Sequence, residues 1–382
     1  MERNDKMNPE IETRDWLTMI IKTTRKCNLR CKYCHDWRTK SDSMPYSILA
    51  RSIYFALQQD YCNSINFVWH GGEPLLLGRD YFLKALITQR ELSKPEQRII
   101  NNIQTNATLI DEEWCQFFAK YNFQIGISLD GPPEIHNRKR IYKDREGSFQ
   151  DVYRGIQLLK EHNISFGVIM VLTNETLELG AESLLSFLLE DLKIKNFSIL
   201  PARPSNYNRE DSKNNPNEEY VSLEKYSVFM SEMFDLWLEK DNPDIRIREI
   251  DNIVKVLLGG KSNVCTLSGD CIGNNFEVEP TGYIYHCDEF FGDDDYKLGN
   301  VLDDSMSDIL GSDKLRKIID AEKVELENLS SCFWFNFCKG GCPHDRYVIK
   351  KMFPERKNQC CGLDSLYNYI YQKLDSCMSH VG

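Results

Sequence analysis

Six short runs in the first 200 residues bring apolar and β-branched positions close together: LTMIIKT from 17, INFVWH from 65, IINNIQTN from 99, FQIGISLD from 123, ISFGVIMVL from 164 and NFSILPA from 196. Runs of this length bounded by polar turns fit a pleated, largely buried surface, so each predicts a strand. Between them, YSILARSIYFALQQ and FQDVYRGIQLLKEH repeat apolar residues at intervals of three and four, the spacing that gives a helix one apolar face. Strand and helix in alternation predict an α/β fold with a parallel sheet, curved toward a partial (β/α)6 TIM-like barrel. Sheets of this kind carry their chemistry at the C-terminal ends of the strands. Cys27 follows the first run, GGEP follows the second, Asn106 ends the third and SLDG ends the fourth.

The pattern changes near 205, where PSNYNREDSKNNPNEE is polar and Asn-rich and reads as a loop, followed by a long helix to about 240. We place a domain edge there, giving parts 1–240 and 241–382. A second helical stretch, IREIDNIVKVLLGG, opens the later part. Beyond it come nine of the 14 cysteines, among Gly, Asp and short β-like pieces. So little continuous apolar sequence predicts a region held together by metals or crosslinks rather than by a core. No internal repeat or low-complexity tract is found.

A formal net charge of -11 on 382 residues argues against a protein that binds nucleic acid through the phosphate backbone. The N-terminal stretch mixes charges and holds only the short apolar run WLTMII, well below the ~20 residues of a membrane span and unlike a signal peptide. A cytoplasmic location, with no membrane and no nucleic-acid partner, is the expectation. In a reducing cytosol 14 cysteines point to metal or redox chemistry rather than to disulfides.

KCNLRCKYCH places Cys27, Cys31 and Cys34 in one loop with no fourth cysteine close by. Thiolates are soft ligands suited to zinc or iron–sulfur clusters. Structural zinc favours four ligands in two close pairs, whereas three ligands on one loop suit a cubane with one iron left open. This Cys-x3-Cys-x2-Cys loop after the first strand resembles the cluster motif of the radical S-adenosylmethionine (SAM) superfamily. The resemblance implies that Cys27, Cys31 and Cys34 hold a [4Fe-4S] cluster whose open iron takes the amino and carboxylate groups of SAM. Reductive cleavage then yields methionine and a 5'-deoxyadenosyl radical that abstracts hydrogen from the substrate. In WHGGEP, Gly71 and Gly72 leave room beside the backbone and Glu73 offers a carboxylate to an ammonium, and in the family this stretch binds the SAM methionyl amine. Ser128, Arg154 and Tyr33 match positions that contact the SAM ribose, carboxylate and adenine in sulfatase-maturating relatives. The plainer alternatives are a strand-end turn, a solvated helix face and a packing aromatic.

The later cysteines, Cys265, Cys271, Cys287, Cys332, Cys338, Cys342, Cys360 and Cys361, resemble the SPASM extension of radical SAM maturases, which carries two auxiliary [4Fe-4S] clusters. That resemblance implies Cys265, Cys271, Cys287 and Cys342 for the first auxiliary cluster and Cys332, Cys338 and Cys360 for the second. The family's remaining ligand stands three residues before Cys332, where this chain has Leu329. The second cluster therefore has an open iron, recruits a spare such as Cys361, or is held some other way. Cys62, Cys115 and Cys377 read as small buried hydrophobes. Asp288, directly after Cys287, matches the base that removes a substrate proton in sulfatase-maturating relatives, although the acidic run DEFFGDDDY also reads as surface charge. His70 faces the space expected for SAM and substrate, with a satisfied strand-end polar residue as the simpler reading.

Proteins with this extension mostly modify peptides or proteins. WHGGEPLL with CKGGCPHDRY resembles peptide maturases that crosslink residues, including cyclophane-forming ones, and a crosslinking maturase acting on a ribosomally made precursor peptide is the leading expectation. The alternatives are an anaerobic sulfatase-maturating enzyme oxidising Cys or Ser to formylglycine, and a non-catalytic zinc-binding interaction protein. The implied electron donor is of flavodoxin or ferredoxin type. With flanks this short no leader-binding domain of ~80 to 100 residues is expected, and the expectation is that a leader peptide falls to the enzyme's own surface or to a separate protein.

Overall fold

The computed structural model describes residues 16–34, 42–203, 219–262, 264–352 and 360–379. The chain divides into two compact units, each assembled from segments far apart in sequence. The first comprises the described parts of Met1–Ser128, Arg140–Phe166 and Cys271–Ala321, and the second those of Leu129–Lys139, Gly167–Asp270 and Glu322–Gly382. The polar stretch expected to be a loop from 205 lies outside the described residues, except for Glu219.

In the first unit β1 (Leu17–Thr24), β2 (Ser64–Gly71), β3 (Arg98–Thr105) and β4 (Gln124–Ser128) pair in parallel, in chain order. The six predicted strands all form. β5 (Phe166–Leu172) and β6 (Asn196–Pro201) belong with β7 (Arg246–Ile247) to the parallel strands of the second unit. On its other edge β1 takes a partner from late in the chain, β8 (Asn275–Val278), which runs parallel to it, and β9 (Tyr283–His286) and β10 (Lys297–Asn300) follow antiparallel.

Alternation along β1 and β2 sorts the sheet into two unlike faces. Leu17, Met19, Ile21, Ile65, Phe67 and Trp69 are fully buried. The helix Tyr46–Leu57 contacts β1 on the sheet, and the helices Arg79–Leu92 and Glu112–Tyr121 bring Phe82 and Trp114 to this side. An aromatic chain fixes this side: Trp69 stacks on Phe67 at 5.7 Å and meets Phe82 edge-on at 5.9 Å, and Phe82 meets Trp114 at 5.8 Å. Parallel strands are usually apolar on both faces. Here the opposite face carries Thr18, Lys22, Asn66, His70, Asn102, Gln104 and Ser128, aligned by a register that sets Thr18 beside Asn66, Lys22 beside His70 and Gln104 beside Gly126. A polar face in an otherwise apolar sheet is a feature that the packing of the helices does not require.

In the second unit the helix Leu223–Lys240 starts on Ser222, whose side chain accepts from Lys225 N, and Tyr226 donates to the Ile199 carbonyl of β6 at 3.0 Å. Glu249, on the helix Arg248–Leu257, accepts from Ser198 Oγ at 2.6 Å and Ile199 N at 3.0 Å. The cysteine-rich end has more core than its composition suggested. Trp334, Leu329, Val348, Leu366, Tyr367 and Ile370 are buried there. Trp334 Nε1 also donates to Asn368 Oδ1 at 3.0 Å. A few large aromatics supply the apolar area that a longer run of smaller residues would otherwise provide.

The spare cysteines divide. Cys115 is fully buried on the helix Glu112–Tyr121, and Cys62 is buried but in the turn before β2, while Cys377 is exposed on the helix Asp364–Ser379, contrary to the expectation of burial. Among the described residues no helix is long and apolar enough to cross a membrane.

Phe82 has no polar atom and touches aromatic rings on three sides, so Phe82→Ala leaves a cavity that rigid neighbours cannot fill. The expected cost is about 3–5 kcal/mol, read as a lower denaturant midpoint of the tryptophan fluorescence transition. A midpoint within error of the parent would show that this cluster does not hold the sheet to its helices.

Candidate active site

β1 ends at Thr24 and the chain turns through Arg25 and Lys26 into the cysteine loop. Cys27, Cys31 and Cys34 stand within one another's electrostatic reach; burial first, then the Glu73 carboxylate and the two neighbouring thiols, push the Cys27 thiol up, against a lowering contact from Leu29. Leu29 N donates to Cys27 Sγ at 3.3 Å and Asn106 Nδ2 approaches it at 3.9 Å. A buried thiol among like groups ionises only beside a positive centre, and thiolate is the ligating form. Three such donors on one loop fit an iron–sulfur cluster. Arg30 N bonds the Ile141 carbonyl at 2.6 Å, and Asn28 Nδ2 bonds Thr108 Oγ1 at 2.8 Å, so the loop is anchored on both sides.

The glycine pair lies directly beneath this loop. Gly71 has a φ of +125°, and a Cβ there would stand 2.2 Å from the Thr24 carbonyl oxygen; one on Gly72 would stand 2.1 Å from that of Lys26. Gly72 N donates to Thr24 O at 2.6 Å and Glu73 N to Lys26 O at 2.8 Å. The missing side chains thus make room for the protein's own backbone, not for open ligand space. Glu73 is likewise occupied inside the fold, accepting from Leu75 N at 3.1 Å, Thr105 Oγ1 at 2.7 Å and Asn106 N at 2.8 Å. Burial pushes its carboxyl up to about 7, despite the lowering effect of these three donors. Through Asn106 it steadies the approach to Cys27.

The other expected SAM contacts fall in the same unit. Ser128 ends β4 and its Oγ accepts from Gln104 Nε2 at 2.9 Å. Arg154 is exposed at its side chain, pairs with Asp151 at 3.3 Å and donates to the Thr108 carbonyl at 2.8 Å. Tyr33 lies under the Arg140 guanidinium, 5.4 Å from its ring centre.

Asp288 makes an ion pair with Lys22, whose side chain is 1% exposed, and Lys22 Nζ also meets His70 Nδ1 at 2.9 Å. His70 is therefore engaged by the protein itself. Beside them Arg25, stacked over Phe291 at 3.6 Å, donates from Nη2 to Glu277 at 3.2 Å and from Nε to Glu279 at 3.3 Å. Glu277 is fully buried, and burial followed by the charge of Asp288 pushes its carboxyl well up, against the opposing pull of Lys22 and Arg25. Sequence reasoning missed Lys22, Arg25, Glu277 and Glu279. Their signal was a basic residue ending the apolar run LTMIIKT and two acids spaced by one residue in FEVEP.

Cys287 has a φ of +67° and caps the turn that carries Asp288; with Cys271 it belongs to the first unit. In the second unit Cys342 is partly exposed, and its thiol feels the charge of Cys265. Cys332, Cys338, Cys360 and Cys361 also gather there: Cys338 is hydrogen-bonded to Cys361, Cys361 to Cys360, and Cys360 to Cys332. Among the described residues no three His, Cys, Asp or Glu side chains are arranged to hold a single metal ion.

Residues 21–184 match the Radical SAM superfamily and residues 270–342 match the iron-sulfur cluster-binding domain SPASM. The cysteine-type anaerobic sulfatase-maturating enzyme of Clostridium perfringens (strain 13 / Type A) is 30% identical over 380 residues, covering 96% of this chain and 99% of that one. A solved structure of native anSMEcpe with bound AdoMet and Cp18Cys peptide superposes with a TM-score of 0.79 at 26% identity, over 96% of this chain and 99% of that chain. Streptococcus suis SuiB bound to precursor peptide SuiA shares the fold, with a TM-score of 0.63 at 20% identity over 91% and 76% of the two chains. The chain belongs to the radical SAM superfamily, within its SPASM-bearing branch. It is an enzyme whose cofactors are SAM and iron–sulfur clusters, and the reading as a non-catalytic zinc module is set aside.

Gly72→Ala forces a methyl group into the Lys26 carbonyl and displaces the cysteine loop. The expected outcome is loss of about one cluster's worth of iron per chain, with the remaining clusters retained, together with loss of 5'-deoxyadenosine formation, measured by iron assay and chromatography. Parental iron and turnover would show that the loop tolerates the shift.

Proposed function

We propose that this enzyme holds SAM at the cluster of Cys27, Cys31 and Cys34 and oxidises a side-chain carbon of a peptide or protein substrate, with Asp288 taking the substrate proton. When bound, the cluster and SAM supply the electron and the carbon-centred oxidant that removes a hydrogen atom. The chain's own residues do the rest. The loop after β1, with the 71–73 backbone beneath it, seats the methionyl end of SAM, and Ser128, Arg154 and Tyr33 take its ribose, carboxylate and adenine.

The observation that carries this reading is the Asp288 and Lys22 pair. Lys22 lies on the polar face that also carries Ser128, and it fixes the carboxylate while His70 steadies the ammonium from the other side. A carboxylate held in place by a buried cation is a positioned acceptor, which a flexible surface acid is not. An auxiliary cluster would supply an acceptor for the substrate's second electron, and a flavodoxin- or ferredoxin-type protein of the cytoplasm would serve as the electron donor to the SAM-binding cluster.

For the product, the near full-length likeness to a cysteine-type sulfatase-maturating enzyme supports oxidation of a substrate Cys or Ser to an aldehyde. Crosslinking of a precursor peptide is the second reading, favoured by His70 in WHGGEP and by Leu329 at the place of a ligand, both departures from the sulfatase-maturating pattern. Anaerobic incubation with a sulfatase-derived Cys peptide, followed by hydrazide trapping and mass spectrometry, separates them. An aldehyde supports the first, whereas loss of two hydrogens without a trappable carbonyl from a peptide encoded beside the enzyme supports the second.

Asp288→Asn keeps the side-chain shape but removes the proton acceptor. Product formation is expected to fall by about 10²–10⁴-fold while reductive cleavage of SAM to 5'-deoxyadenosine continues. Parental yields of product from this variant would remove Asp288 from the mechanism.

A further inference from the structure

We propose that Cys361 is the fourth protein ligand of the second auxiliary cluster, completing the set Cys332, Cys338 and Cys360 that Leu329 leaves short. The inference rests on family membership and on the second unit alone, and it is independent of which substrate the enzyme modifies.

Leu329 offers no donor atom. It is buried at the end of the helix Asp313–Leu329, and a Cβ on Gly340 would stand 3.5 Å from its Cδ1, so it serves to pack the turn that follows. Its carbonyl accepts from Cys332 N at 3.0 Å, which keeps the backbone geometry of a ligand turn without the ligand.

Cys361 reaches the same thiols from another part of the chain. Its sulfur meets both Cys338 and Cys360, and Cys360 in turn meets Cys332. Adjacent side chains on an extended strand point to opposite sides. The contact between the Cys360 and Cys361 sulfurs therefore requires a bent backbone, and Gly362 beside them has a φ of +92°. Cys360 Sγ accepts from Gly362 N at 3.3 Å, and Cys361 lies 4.0 Å from the Tyr367 hydroxyl. Space on the far side is reserved in the same way: Gly341 has a φ of +72°, and a Cβ on it would stand 2.9 Å from that of Cys361. Any larger residue there would press on Cys361. The four thiols form a chain of pairwise contacts in which, among the described residues, no three side chains are arranged to hold a single metal ion, and four thiolates suit the four corners of a cubane. The position lost in the helix is regained from the loop before the C-terminal helix.

The test uses the full chain with all clusters loaded. In a background of C27A/C31A/C34A, which removes the SAM-binding cluster, Cys361→Ala is expected either to lose about half of the remaining iron or to convert one cluster to a three-iron form with its signal near g = 2 in the oxidised state, detected by electron paramagnetic resonance. Unchanged iron without that signal overturns the proposal. A second measurement needs no variant. Iodoacetamide labelling of the loaded wild-type protein should spare Cys361 as it spares Cys332, Cys338 and Cys360, label exposed Cys377 throughout, and reach Cys361 once a chelator has removed the iron. Labelling of Cys361 in the loaded protein at the rate of Cys377 overturns it as well.

Discussion

A lysine ammonium shut inside a sheet must be neutralised, and Lys22 is 1% exposed. Removing one partner of a buried ion pair costs about 3–5 kcal/mol, because the other charge is left without water. Asp288 supplies the charge for Lys22, and Glu279 does so for Arg25 three residues later, with Glu277 accepting a further hydrogen bond from it. Two cations at the end of β1 thereby fix where residues 277–288 lie, and with them the turn that carries Cys287. The electrostatic requirement of one strand end positions both the cysteine loop and a part of the chain more than 250 residues further on.

The same strand end is shaped by a steric requirement. Gly71 and Gly72 lie so close to the carbonyls of Thr24 and Lys26 that no side chain fits, and two backbone hydrogen bonds join the segments. Glu73 continues this joint through Asn106 toward Cys27. The cysteine loop therefore rests on backbone, while the polar face of the sheet supplies the side chains around it. A dry face of aromatics holds the helices, and the opposite face carries the polar side chains.

Much of this was legible in the sequence because period-two alternation and helical spacing are local properties. The six early strands, the helix before 240 and the placing of each motif at a strand end all follow from residues within a few positions of one another. Family membership was legible for the same reason, since Cys27, Cys31 and Cys34 occupy one short loop. What was not legible depends on pairing across long separations. Nothing near Lys22 announces Asp288, and nothing near Met19 announces that β8 will pair with β1. The glycine pair stood out in the sequence, but the sequence could not tell that backbone is the neighbour that excludes a side chain there. Cys377 looked like the other spare cysteines because helical context does not say which face of a helix meets solvent.

The partner that β8 gives to β1 has a consequence for how the chain is made. Until residues 275–288 leave the ribosome, β1 is an open sheet edge whose Lys22 lacks its Asp288 counterion, and such edges invite pairing with other chains. Contacts this distant in sequence form late and slow folding. The loop of Cys27 is thus flanked by unfinished structure until the last third of the protein has arrived.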